Sequence, residues 1–445
     1  MSAPFGSPGL TLSNIVKQLR TTFETFADPR RGKNTRYTLV DAAFSAFSVF
    51  FMQSPSFLEH QRTVQETQGK NNAQTLFGVD QIPTDNPIRT LLDGVEPTAV
   101  YPLFTSLFQG LHQEGIVDRY RALGNTLLLA LDGTRYFSSQ KIQCACCSTP
   151  SHANGQVTDF HSVVLPVWVK PGLDKVIPVA PEFVQPQDGA AKQDGALNAA
   201  KRWLAQWASH YSTLGMTVLG DDLYCHEPFC RELLEHGFNV LLVCKPESHP
   251  ALYEWLAFLE RGGAVHTVVR RRWTGTRREF DTDRYATAVP LRDADDALPV
   301  NWCELTTTTA EGQVVYHNAL ATSHPLHEHN VPETVAAGRS RWKIENENNN
   351  TLKTKGYHFE HHYGHGKHHL SSLLATLILL AYLTHTVLEW VDDQYRLLRQ
   401  QLPSRKRLFH DIRALTCYLC FDGWEHLLQF MLQGFHRPIR APDSG

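Results

Sequence analysis

At 445 residues the chain exceeds what one hydrophobic core serves, and 42% hydrophobic, 10% aromatic and 20% charged residues are globular values that exclude disorder at length. A formal charge of -3 with a pI near 6.8 excludes no polyanionic partner, because nucleic acid reads local patches and not the sum. The 9 cysteines are odd in number and dispersed apart from Cys144, Cys146, Cys147 and the pair Cys417, Cys420, which argues against a disulfide framework and for reduced thiols.

The first residues, MSAPFGSPGL, lack the basic and apolar regions of a signal peptide, so a cytoplasmic protein is expected. Ile15, Leu19, Phe23 and Phe26 recur at helical spacing, ADPRRGKN reads as a turn, and Leu39 to Met52 predicts a second helix. Asp93, Gly94 and Pro97 then punctuate the chain before Val100 to His112. This first unit, 1–120, is expected to be all-α. The apolar runs around Leu39 to Met52 and Leu370 to Val391 are interrupted by Asp41, or by Ser371, Ser372, Thr376 and His385, so both read as core helices and no membrane span is expected.

From Asn125 the texture changes to short runs closed by Gly, Pro or Asp: NTLLLALDGT, HSVVLPVWV and KVIPVAPEF. A helical stretch at about 190–210 follows, then MTVLGDDLYC, EPFCRELLEHG and FNVLLVCKP as strand, helix and strand. That alternation marks an α/β sheet. Residues 248–330 revert to strand-like pieces with basic turns and read as a β-rich insertion. Helix returns from about 332 to 391, and 391–445 forms a helical tail. The expected division is therefore 1–120, 121–390 and 391–445.

Two aspartates close strands, Asp132 in LLLALDG and Asp221 in TVLGD. Sites in open α/β sheets are built at strand ends, and a third carboxylate arriving on a helix completes a way of holding two divalent cations. Hard cations such as Mg²⁺ take oxygen ligands. Two of them can activate an attacking oxygen and stabilise a leaving one in phosphoryl displacement. The third carboxylate chosen is Glu345, with Glu347 as a rival; two residues on a helix are about 200° apart, so both cannot face the same metals.

LDGT at Asp132, GDDLY at Asp221 to Tyr224 and RWKIEN around Arg341 and Glu345 together resemble the ribonuclease H-like DDE transposases of bacterial insertion sequences, a class allied to retroviral integrases. The resemblance covers roughly residues 125–385. It implies an α/β, ribonuclease H-like catalytic core and two Mg²⁺ (or Mn²⁺) ions on Asp132, Asp221 and Glu345. It further implies hydrolysis of DNA phosphodiesters at element ends and attack of the freed 3′-hydroxyl on target DNA, with no covalent protein intermediate. A homodimer on paired ends and DNA-binding by the N-terminal helices also follow from it. Two positions depart from the family signature: Gly338 stands where a tyrosine falls, and Lys353 lies one residue further from Glu345 than the signature lysine. A nuclease of the same fold that cuts without joining, or a relic that binds DNA without cutting, stays open.

A helix from near Val335 would put Arg341, Glu345, Asn348 or Asn349, and Leu352 on one face. Arg341, Asn349 and Lys353 are then candidate DNA contacts, the arginine fork matching phosphate oxygens. Arg270, Arg271 and Arg272, with Arg277, Arg278 and Trp273, suit backbone contact and base stacking, or are a solvated hairpin. Arg30, Arg31, Lys33 and Arg36 pose the same choice. The histidines His358, His361, His362, His365, His368 and His369 read as a DNA-facing or structural group, or as a metal site. Cys144, Cys146 and Cys147, with His152 or His161 and conceivably Cys417 and Cys420, either bind zinc or are ordinary thiols.

Overall fold

A computed structural model of the chain describes residues 10–28, 30, 36–65, 71–149, 157–186 and 195–436. In chain order the helices α1 (Leu12–Phe23), α2 (Leu39–Phe51), α3 (Phe57–Gln65), α4 (Asn72–Phe77), α5 (Asp85–Leu92) and α6 (Tyr101–Gln113) come first. Strands β1 (Arg121–Ala122), β2 (Thr126–Ser139), β3 (Asp159–Lys170), β4 (Leu173–Pro178) and β5 (Glu182–Phe183) follow. The alternating part is α7 (Ala196–Tyr211), β6 (Met216–Gly220), α8 (Glu227–Glu235), β7 (Phe238–Val243) and α9 (Pro250–Arg261). Strands β8 (His266–Trp273), β9 (Arg278–Pro290), β10 (Pro299–Thr309) and β11 (Val314–Thr322) precede α10 (Val331–Arg339), α11 (Asn350–Thr354), α12 (Leu370–Val391), α13 (Asp393–Gln401), α14 (Arg405–Tyr418) and α15 (Trp424–His436).

The chain forms two compact units. One gathers the residues up to Val117, Arg135–Ser162 and everything from Asn349 on. Its core is helical and aromatic. Helix α2 starts at a capping box, Thr38 Oγ1 accepting from the Asp41 N–H at 3.0 Å while the Asp41 carboxylate accepts from the Thr38 N–H at 3.1 Å. Phe51 at its end is ringed by His385, Phe409 and Trp424, centroids 4.5, 5.4 and 5.2 Å away. Helix α12 is long and apolar enough to cross a membrane by length and composition, and 89% of that stretch is buried inside the protein. The last helices fold back on the first: Asn72 donates to the carbonyls of Thr416 and Leu419 at 3.1 and 2.8 Å, and the Trp424 indole donates to Leu76 at 2.9 Å.

The other unit, Asp118–Thr134 with Val163–Asn348, is mixed α/β. Its strands lie in one large sheet of order β4-β3-β2-β6-β7-β11-β10-β9-β8, with β1 on β2 and β5 on β3. Strand β2 is buried from Thr126 to Leu131, and β6 throughout, as strands covered on both faces must be. β2, β6 and β7 run parallel. The four strands of the expected insertion do not form a separate sheet. β11 pairs antiparallel with β7, Leu320 opposite Val243, so the insertion extends the central sheet.

Helix α10 continues through a 3₁₀ turn (Ser340–Trp342) and a π-helical turn (Ile344–Asn349) into α11. A π turn breaks the regular phase of a helix and is frequent at functional sites. Gly338 packs closely: a Cβ there would meet Leu320 Cδ1 of β11 at 2.3 Å, so any side chain at that position needs Leu320 to move aside.

Candidate active site

The chain leaves β2 toward β3 and β4 on one side, then returns past β2 to β6 and β7 on the other. The gap between β2 and β6 is therefore the switch point of the sheet, where open α/β sheets place ligands beyond the carboxyl ends of the strands. The parallel register pairs Leu127 with Met216 and Ala130 with Leu219. The pairing stops at Ala130 and Leu219, and β2 runs on to Ser139, so Asp132 lies inside its strand and does not close it as expected, while Asp221 follows directly on the end of β6. β6 ends at Gly220, which frees the Asp221 backbone to turn: its carboxylate accepts from the Leu223 N–H at 3.1 Å and its carbonyl from Tyr224 at 3.1 Å.

Glu345, in the π turn, brings the third charge. Burial is the largest cause that raises the Asp132 carboxyl from 3.8 to about 6; the negative charge of Glu345 comes next, Arg341 opposes it, and Asp221 adds to it. Arg341 and Glu345 form an ion pair at 3.0 Å, the side chains 21% and 52% exposed, so the glutamate remains reachable. Tyr224 lies under the pair. Its phenol is held well above its ordinary value by burial and then by Asp132 and Asp221, and its hydroxyl has no hydrogen-bond partner among the described residues. Asp222 faces elsewhere: it accepts from the Lys245 N–H at 2.7 Å and from the Ser248 hydroxyl, and lies 3.4 Å from His249 Nε2.

An open cleft of about 490 Å³ begins at Asp221 and is lined by Lys245, Tyr316, Asn318, Arg339 and Arg341. Three cations facing one carboxylate cleft is a phosphate-binding composition. The Arg339 guanidinium lies over the Tyr316 ring at 4.4 Å, so an aromatic side chain enters from β11. Lys245, Tyr316 and Arg339 were missed in the sequence. Lys245 had a signal, since VCKP closes β7 as GDD closes β6.

Other sequence candidates fall differently. Asn349 and Lys353 belong to the helical unit; Asn349 is 8% exposed, and Lys353 pairs with Glu360 at 2.8 Å. Asn348 and Leu352 are fully buried, so the expected polar face ends at Glu345. Arg270 and Arg272 on β8 are answered within the hairpin by β9 acids: Arg270 by Asp283 at 2.7 Å, and Arg272 by Glu279 at 2.6 Å and Asp281 at 3.4 Å. Arg271 points to the other face, over the Phe280 ring at 5.8 Å. Arg30 pairs with Asp28 at 2.6 Å, while Arg31, Lys33 and His152 lie outside the described residues.

No family model matches the chain, and no curated protein matches it. Among solved structures it is similar to the piggyBac transposase synaptic complex with hairpin DNA, at a TM-score of 0.38 and 9% identity over 99% of this chain and 85% of that one. A likeness at that level carries no argument about what this chain does.

Proposed function

We propose that this chain is a DNA transposase of ribonuclease H-like architecture, cleaving phosphodiesters at element ends and joining the 3′-hydroxyl to target DNA. What supports the reading is that Glu345, Arg341 and Asp221 all act on the charge of Asp132, and that Arg341 pairs with Glu345 at 3.0 Å. Three carboxylates against one arginine form a hard-oxygen set with excess negative charge, which adds to burial in raising the Asp132 carboxyl. The set fits two Mg²⁺ (or Mn²⁺), held by Asp132, Asp221 and Glu345; bound there, such ions would supply an activated attacking oxygen and a stabilised leaving oxygen.

The chain's own contribution is positioning. Arg341 fixes the Glu345 carboxylate through one N–H and keeps others for a phosphate oxygen. Lys245 and Arg339 draw the polyanion into the cleft and hold its backbone. Tyr224 is buried and close enough to Asp132 and Asp221 to feel their charge. The helices before residue 120, a homodimer on paired ends and a cytoplasmic setting complete the proposal.

The test is a strand-transfer assay with purified protein, DNA ends taken from either side of its own gene and Mg²⁺ or Mn²⁺, run beside Asp221→Asn. Joined products that vanish in the variant support the transposase. Metal-dependent cuts without joining replace it by a nuclease of the same fold, and binding with no cuts at all replaces it by a relic.

A further inference from the structure

In the helical unit four soft ligands converge. Cys144 and Cys147 lie in the loop after β2, His161 on β3, and His365 in the segment between α11 and α12. Their ligand atoms all lie within 4.8 Å of one another. The Cys144 and Cys147 sulfurs are 3.8 Å apart, His161 Nε2 is 3.5 Å from each of them, and His365 Nε2 is 3.8 Å from Cys147 Sγ.

Those separations have a simple reading. A tetrahedral zinc with bonds of about 2.3 Å to sulfur and about 2.05 Å to nitrogen sets two sulfurs about 3.8 Å apart and a sulfur and a nitrogen about 3.5 Å apart. A disulfide would need the sulfurs at about 2.05 Å, so these thiols are not joined. The surroundings are those of a built site. The turn between the cysteines closes by the Cys147 N–H donating to the Cys144 carbonyl at 3.1 Å, and the Cys144 N–H points at Cys147 Sγ at 3.4 Å, as backbone donors do toward a metal-bound thiolate. Tyr136 stacks on the His161 ring at 5.7 Å and 19°, and Phe137 packs on His365 at 4.4 Å, fixing both imidazoles. Cys147, His161 and His365 are buried, at 5%, 6% and 6% exposure.

We propose that Cys144, Cys147, His161 and His365 bind one zinc ion, and that its role is structural. Four protein ligands leave no open coordination position for a substrate. The ion would tie together three segments, one of which, between α11 and α12, has no regular secondary structure. That segment is otherwise pinned by the Asp93 carboxylate, which accepts from the N–H groups of Lys367, His368 and Leu370, and by Arg89 donating to the Tyr363 carbonyl at 2.7 Å. Cys146, between the two ligands, is exposed and outside the cluster.

The experiment is metal analysis of the full chain, purified without chelator, beside Cys147→Ala, His365→Gln and Cys146→Ala. About one zinc per chain is expected in the wild type and in Cys146→Ala, falling below about a tenth in the other two. The same count in Asp132→Asn assigns the ion away from the carboxylates, so the result stands whether or not the chain proves to be a transposase. If the ligand variants do not fold, the wild type decides. Cobalt exchanged for zinc should give the intense visible bands of a tetrahedral site together with sulfur-to-cobalt charge transfer. Wild-type protein with reduced thiols that takes up no zinc, loss in Cys146→Ala equal to that in Cys147→Ala, or cobalt bands without a sulfur component would each overturn the proposal.

Discussion

The two clusters that could hold metal in this protein differ in almost every respect that matters to a cation. Asp132, Asp221 and Glu345 offer hard oxygens beside an open cleft, and Glu345 is 52% exposed. Cys144, Cys147, His161 and His365 offer two sulfurs and two nitrogens, three of the four side chains buried. Oxygen ligands that leave room for water and phosphate suit an ion that takes part in chemistry and exchanges freely. A closed tetrahedron of soft ligands suits an ion that stays and stabilises the fold. Within one chain, donor type and access would thus separate the site proposed to work from the one proposed to fasten.

The sharpest way to break that comparison is to remove one member of each cluster and read both activity and stability. Asp221→Asn or Glu345→Gln should lower DNA cleavage by several orders of magnitude while leaving the melting temperature near the wild-type value, since neither side chain is buried. Cys147→Ala should do the reverse, costing several kcal/mol of stability through loss of the ion and losing activity only in proportion to the unfolded fraction. A stable, fully cut-competent Cys147→Ala would erase the distinction. Chelation should reproduce it without mutation. Brief EDTA treatment stops cleavage, reversibly on adding Mg²⁺, with no change in melting; a zinc-selective chelator applied with heating lowers the melting temperature, which Mg²⁺ does not restore.

Acid–base behaviour gives a smaller effect at the carboxylates. The folded Asp132 carboxyl is raised to about 6 from 3.8, so the fold favours its protonated form. Its favourable contribution is complete below pH 3.8 and is lost as pH rises through about 6, leaving the metal-free site at a disadvantage of up to about 3 kcal/mol above that. In chelator at pH 7.5, Asp132→Asn should therefore melt a few degrees above the wild type, and the gain should shrink toward pH 5 and on adding Mg²⁺ to the wild type. A variant less stable than the wild type at pH 7.5 would show that the three carboxylates do not crowd one another.

Much of the α/β unit was legible because buried parallel strands write themselves as unbroken apolar runs: LLLAL stops at Asp132, although β2 itself continues to Ser139, and TVLG stops just before Asp221. The helices α2 and α12 were legible for the same reason. Register was not. That β2 pairs with β6 in the register that sets Ala130 opposite Leu219 is encoded by no local pattern. The π turn was hidden too, since it is a choice of hydrogen-bond partner made by packing around Asn348 and Leu352, and it limits the expected polar face to Arg341 and Glu345. For the soft cluster, the sequence showed two cysteines and many histidines yet could not choose His161 and His365. Those ligands come from segments brought together only by the fold, while the Cys417 and Cys420 pair that looked complementary is no part of the group.

The basic strand β8 gives the finest test, because the sheet sorts three consecutive arginines into two environments. Arg270 and Arg272 share a face with Asp281, Asp283 and Glu279, whose side chains are 9%, 0% and 5% exposed, whereas Arg271 lies directly opposite Phe280 on the other face. Burial raises the Asp283 carboxyl and Arg270 works against that rise, so the arginine is what makes a buried charge tolerable. Arg270→Ala should therefore cost about 1–3 kcal/mol by leaving Asp283 unpaired. Arg271→Ala, which breaks no ion pair, should change stability by less than about 0.5 kcal/mol. If β8 meets DNA, the free charge is the one that contacts phosphate: Arg271→Ala should reduce the slope of log affinity against log salt by about 1, and Arg270→Ala by much less. Equal slopes in the two variants, with binding unchanged, would make the hairpin a self-neutralised edge of the sheet and leave Lys245, Arg339 and Arg341 as the cations that hold the backbone.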